Sequence, residues 1–135
     1  LNLLTVNALT LAREVIVPMQ AHYLAMQGLT KLLETIAMVR RGINRELKVS
    51  GVVLCMFEGN TLLAGEIVDE LTGFFESARG SDQPWADAVV YHPPIRRNIK
   101  LAEAPSYGQS IHQYAPDSHG SADYQRLARA ISGRA

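Results

Sequence analysis

The chain has 135 residues, with thirteen Lys and Arg balanced by thirteen Asp and Glu, and a single cysteine, Cys55. That length supports one domain, residues 1–135, whose core needs no disulfide or metal staple. The zero net charge removes any global field that would hold a nucleic acid or an anionic membrane, so such a contact must be a local patch. A lone cysteine excludes an intrachain disulfide and a Cys-rich zinc site, and it fits a reducing compartment.

No apolar run reaches the roughly eighteen residues of a membrane span, and the basic start of a signal peptide is absent, so a cytoplasmic protein without membrane contact is expected. Leu1-Asn2-Leu3-Leu4 has no initiator Met and reads as the opening of a cut chain. From Leu1 to Ala12, Leu1, Leu4, Ala8, Leu11 and Ala12 fall at helical spacing, and Glu14 to Pro18 is a β-branched run closed by a proline. Ala25 to Asn44 carries Leu29, Leu32, Leu33, Ile36, Val39 and Ile43 at steps of three and four, with Lys31, Glu34, Arg40 and Arg41 between them. This predicts an amphipathic helix. Val49 to Phe57 is a near-continuous apolar run, the pattern of a strand covered on both faces of a parallel sheet.

Asn60 or Thr61 is placed to cap the next helix, whose expected buried stripe is Leu63, Ile67, Leu71, Phe74 and Phe75. Gly80 to Pro84 reads as a turn-rich insertion, and Ala88 to Tyr91 as a short strand ended by Pro93-Pro94. Pro105, Gly108, Pro116 and Gly120 punctuate a long segment resembling a ligand loop, before a helix from about Ser121 to Ile131 with Tyr124, Leu127, Ala128 and Ile131 inward. Helices alternating with apolar strands predict an α/β fold: a mainly parallel sheet between helical layers.

In such sheets ligands gather beyond the carboxyl ends of the strands. That selects Pro18 to Gln20, Cys55 to Asn60 and His92 to Asn98. None holds GxxxxGK[ST], GxGxxG or HExxH, and none of His22, His92, His112 and His119 has metal-ligand spacing. Cys55 reads either as a nucleophile or as a small buried hydrophobe, and Glu58 and Glu103 carry no geometric signal of an acid/base pair. Two basic clusters suit phosphates: Arg96, Arg97 and Lys100 past a strand, and Arg40, Arg41, Arg45 and Lys48 around a helix end. For Arg40 and Arg41 the alternative is complementing the helix dipole. The strand-end position favours ligand binding for Arg96 and Arg97.

The run from Arg97 to Gly108, RNIKLAEAPSYG, resembles the RN(V/I)(R/K)LSEAPSxG signature of the ParA/Soj chromosome-partitioning ATPases. The likeness continues through Leu3 to Thr10, which resembles the segment after the Walker B strand, and through Val17-Pro18-Met19-Gln20 with Tyr23, Ala25, Gly28 and Leu29. Gly51 to Leu54 is similar to the family's GVLLT strand, and Tyr114-Ala115-Pro116 with Ser118, Gly120, Ala122 and Tyr124 to its YDPxSxGAxxY ending. The whole chain is covered and corresponds to the family's C-terminal half.

The resemblance implies part of a P-loop NTPase fold of the ParA and MinD type. It further implies an ATP- and Mg²⁺-dependent dimer that binds DNA non-specifically, is stimulated by a ParB-like partner, and moves plasmids or chromosomes at the nucleoid. The family's two-lysine phosphate loop, magnesium-binding hydroxyl and Walker B aspartate precede Leu1 in family order, so this chain alone is expected not to hydrolyse ATP, to bind nucleotide weakly at most, and to dimerise or swap. By the same resemblance Cys55, Arg96, Arg97 and Asn98 flank the adenine, while Arg97 and Lys100 face DNA. The chain departs from the family pattern with His22 for an acid, Cys55 for Thr, Glu58 for Asp, Asn60 for a DNA-contact Arg and Arg96 for Pro. The alternative is a naturally shortened, non-enzymatic ParA-like module for interaction or dimerisation.

Overall fold

The computed structural model describes residues 2–133. Its centre is a three-stranded parallel sheet in the order β1 (Glu14–Gln20), β2 (Lys48–Cys55), β3 (Val89–Val90). Being central, β2 must be apolar on both sides. Val52 and Leu54 enter the larger core with the helices that follow β1 and β2, while Val53 enters a second cluster with Tyr91, Ile95 and Leu127. One extra residue in β2, Ser50, shifts the register between Val15 and Ile16. β1 is an edge strand, which explains why Pro18 sits within it and the strand continues to Gln20.

α1 (Leu3–Leu11) begins at Asn2, whose side chain accepts from the Thr5 amide at 3.0 Å. The predicted stripe of this helix is wrong. Leu4 and Leu11 are exposed, Leu1 lies outside the described residues, and Leu9 is the residue of α1 that reaches the core. Asn44 fastens the end of α1 by donating to the Leu9 and Ala12 carbonyls at 3.0 and 2.6 Å.

α2 (Tyr23–Gly42) buries Leu29, Leu33, Ile36 and Val39 as its periodicity requires, although Ile43, just past its end, is exposed. α3 (Leu62–Ser77) is capped by Thr61 and buries Ala64, Ile67, Leu71 and Phe75. Leu63 and Phe74 depart from the expected stripe and are largely exposed. Phe74 instead stacks on Trp85, just past the turn-rich insertion, at 6.1 Å between ring centres, and stays partly open to solvent. The same insertion starts β2, since the Val49 amide donates to the Pro84 carbonyl at 2.8 Å.

Beyond β3 the expected loop contains short helices: α4 (Ile99–Glu103), a 3-10 turn (Ala104–Tyr107) and α5 (Ile111–Tyr114). Gly108, at φ 63°, ends the turn in the left-handed region that a side chain would strain. α6 (His119–Ser132) covers the second face of the sheet with Leu127, flanked by half-buried Ala130 and Ile131. Tyr124 and Ala128 are exposed, against expectation. Gly120 meets Leu101 so closely that a Cβ would stand 2.7 Å from Leu101 Cγ, and this approach rolls α6 so that Gly120, Ser121 and Asp123 face inward.

Candidate nucleotide-base cleft

Hydrogen bonds from the end of β2 build the site. The Ile95 amide donates to Leu54 O at 2.8 Å, Phe57 to Ile95 O at 3.0 Å, and Arg97 to Phe57 O at 3.2 Å. They hold the segment after the cis His92–Pro93 bond against the β2–α3 loop. Between them opens a cleft of about 440 Å³ lined by Cys55, Met56, Arg96, Arg97, Asn98 and Tyr124 together with apolar side chains. The four predicted nucleotide residues therefore share one cleft, although Cys55 lies more than forty positions before the other three.

Their roles differ. Cys55 is half-buried, its thiol points to Val53 O at 3.7 Å, and burial pushes its pKa up, which opposes the thiolate a nucleophile needs. Arg96 is the fixed member. Its Nε and Nη2 donate to Asp123 at 3.0 and 2.8 Å, and its backbone amide donates to Asp123 Oδ2 at 3.1 Å. Asp123 is fully buried; burial pushes its carboxyl up, but the Arg96 hydrogen bonds and the Arg96 and Arg126 charges together hold it below the usual aspartate range. Asn98 caps α4 by accepting from the Lys100 amide at 2.8 Å.

Arg97 and Lys100 stand at the rim as exposed cations, 3.6 Å from Glu58 and 3.2 Å from Glu103 respectively. Exposed pairs of this kind contribute little to stability. Glu58 and Glu103 thus serve separate cations and do not form an acid/base pair. Tyr114 donates to Glu103 at 2.7 Å and stacks on Tyr107, and the hydrogen bond to Glu103 leads the causes that push its pKa up to about 12.

Met56 lies in the selected Cys55 to Asn60 loop but was not singled out, and Asp123 escaped the sequence reading. Met56 sits at φ 48°, a backbone region costly for a non-glycine residue, between this cleft and two adjoining ones. No sequence signal marks that backbone conformation. Asp123 did have one, because it lies four residues before Leu127 on an amphipathic helix, where a carboxylate needs a buried partner.

An adjoining cleft of about 480 Å³ runs along the edge of β1 past Pro18, His22 and Gly28 and is mainly apolar. His22 is engaged there as the cap of α2. The second basic cluster lies at the opposite end of β2, where Arg40 donates to the Asp82 carbonyl at 3.0 Å and to that of Arg45 at 3.4 Å. Among the described residues no group of three or more His, Cys, Asp or Glu could hold a metal ion, and no helix is long and apolar enough to cross a membrane.

Residues 1–49 match the family profile described as an AAA domain. The chromosome-partitioning ATPase Soj of Thermus thermophilus is 40% identical over 134 residues, which are 99% of this chain and 49% of that protein. The sporulation initiation inhibitor protein Soj of Bacillus subtilis is 36% identical, over 98% of this chain and 48% of its own length. The chromosome partitioning protein ParA of Caulobacter vibrioides is 37% identical, over 99% of this chain and 46% of its own length. Among solved structures, cobyrinic acid a,c-diamide synthase from Mycobacterium smegmatis, with bound ADP and magnesium, superposes with a TM-score of 0.67 at 26% identity, covering 96% of this chain and 42% of that one. The chain spans about half the length of the curated relatives it matches.

Proposed function

The chain belongs to the ParA/Soj family, and on that premise we propose that it forms the base-side wall of the nucleotide site of a chromosome- or plasmid-partitioning ATPase, as the C-terminal portion of a ParA-like nucleotide-binding domain. The supporting observation is the convergence of Cys55, Arg96, Arg97 and Asn98 on one cleft beyond the carboxyl ends of β2 and β3, where parallel sheets bind ligands. In this reading a planar base would lie against Leu101 and the Arg96 guanidinium, with the left-handed turn at Met56 beside its edge. The triphosphate and magnesium do not fit these residues in the same way, since the 135 residues contain no GxxxxGK[ST] loop and the described ones hold no acidic metal cluster. ATP and Mg²⁺ would add phosphoryl-transfer chemistry in the intact family protein. This chain's part is to orient the base and exclude water from it.

Arg97 and Lys100 extend the reading to non-specific DNA binding, because both are exposed cations, one just before α4 and one in its first turn. The proposal extends to partnership with a ParB-like protein and to nucleoid association on family resemblance alone. Photocrosslinking with 8-azido-ATP tests the base site. Label is expected in the peptides holding Cys55 to Phe57 or Arg96 to Asn98, and label confined to other peptides would refute the assignment.

A second reading is favoured by the open flank of the fold. Leu3, Leu4 and Leu11 of α1 and Tyr23 and Leu24 of α2 are exposed, and β1 is an edge strand of the sheet among the described residues. A shortened, non-enzymatic module would use that flank to associate with itself. The mass of the native protein separates the two readings: about twice that of this chain, with a lysine-rich phosphate loop upstream, supports the ATPase, and a product of 14.8 kDa supports the module.

A further inference from the structure

We infer that Asp123 is the positioning residue of the base cleft, locking Arg96 and with it the Ile95–Asn98 wall onto α6. The inference rests on the base-cleft reading above and goes beyond it, because Asp123 does not line the cleft. Three hydrogen bonds from one residue converge on its carboxylate, two from the guanidinium and one from the Arg96 amide. That amide points away from the sheet, whereas the amides on either side of it, Ile95 and Arg97, bond to Leu54 and Phe57. The wall is thus pinned alternately to β2 and to α6.

A two-point guanidinium–carboxylate fork fixes the plane of the guanidinium as well as its place. The Arg96 side chain keeps 42% of its accessible surface while Asp123 keeps none, so the carboxylate anchors from below and the guanidinium presents a flat surface to the cleft. Arg126, 3.7 Å from Asp123 Oδ1, is a weaker second cation on the same carboxylate. It adds to the positive charge around that carboxylate, but it belongs to α6 and does not tie the wall to it. The wall carries no other side-chain bond to α6 among the described residues.

The test uses the full-length native protein with three variants, Asp123→Asn, Asp123→Ala and Arg96→Lys. ATP and inorganic tripolyphosphate are titrated against each, and exchange of the Arg97 amide is followed by NMR. Asp123→Asn keeps the shape and one acceptor but loses the charge; it is expected to weaken ATP about tenfold, leave tripolyphosphate unchanged and speed Arg97 exchange at least tenfold. Arg96→Lys keeps the charge without the fork and provides a folded variant if Asp123→Ala does not fold. It is expected to weaken ATP severalfold with the same indifference to tripolyphosphate. Equal weakening of both ligands would identify a general structural defect and overturn the positioning role, as would unchanged ATP affinity and exchange in Asp123→Asn and Arg96→Lys. Wild-type protein that binds ATP no better than tripolyphosphate would sink the base-cleft reading instead. Arg97 exchange would then decide the lock by itself, with faster exchange in Asp123→Asn upholding it and unchanged exchange overturning it.

Discussion

Replacing Gly51 by alanine tests how the sheet supports the cleft. Gly51 lies opposite Val89 where β2 pairs with β3, and a Cβ there would collide with the Val89 carbonyl oxygen and come within 2.9 Å of Tyr91 Cε2. Neither neighbour can yield easily. The carbonyl is backbone in a two-residue strand, and the ring belongs to a side chain only 4% exposed. Overpacking a well-filled interior costs about 1–3 kcal/mol, and a backbone collision belongs at the upper end, near 3 kcal/mol. For a chain of this size that corresponds to a fall in melting temperature of roughly 10 °C. Urea unfolding followed by far-UV circular dichroism would measure it as a lowered midpoint at unchanged slope. Because β3 leads into the segment carrying Ile95 and Arg96, the loss should extend to ligand binding at the cleft. A Gly51→Ala protein destabilised by less than about 1 kcal/mol would refute the packing argument.

Stability should also fall at both pH extremes. Hydrogen bonds to Tyr114 and Lys100 hold Glu103 below its ordinary 4.5, and the Arg96 bonds outweigh burial to hold Asp123 below 3.8. Lowered carboxylates contribute stability that is present above their ordinary values and is lost as pH falls through the folded ones. Tyr114, raised to about 12, contributes stability that is complete below its ordinary 10.0 and disappears as pH rises towards 12. Tyr114→Phe should flatten the alkaline limb of a pH-dependent urea series, and an unaltered limb would disprove the Tyr114–Glu103 contribution. If DNA binds, Arg97→Ala and Lys100→Ala should each lower the slope of log affinity against log salt by about 1, and unchanged slopes would remove them from the DNA face. The open flank of α1 and β1 predicts a dimer by light scattering, whereas a stable monomer at high concentration would contradict it.

Periodicity was readable wherever one helix face or one strand met a single large core. The stripe of α2 and the near-continuous apolar run of β2 appear in the structure nearly as spaced in the sequence. It failed where a helix touches little or where a close approach rotates it. α1 meets the core through Leu9 alone, and the Gly120–Leu101 contact turns Tyr124 of α6 outward. α4 and α5 have five and four residues, too short for any period to register. The cleft beyond β2 and β3 lies where the carboxyl-end rule pointed. The chemistry inside it did not follow from the sequence, because the partner of Arg96 lies 27 positions away and Asp123 becomes visible as its partner only in three dimensions.

The central claim is that the chain holds a base without holding a triphosphate. Calorimetric titration of the 135-residue chain with adenosine and with ATP in the presence of magnesium tests it most directly. The account predicts weak affinities within about threefold of each other, a difference below 1 kcal/mol, and no turnover. ATP bound a hundredfold or more tighter than adenosine in a magnesium-dependent manner, or hydrolysis that survives repurification, would contradict it.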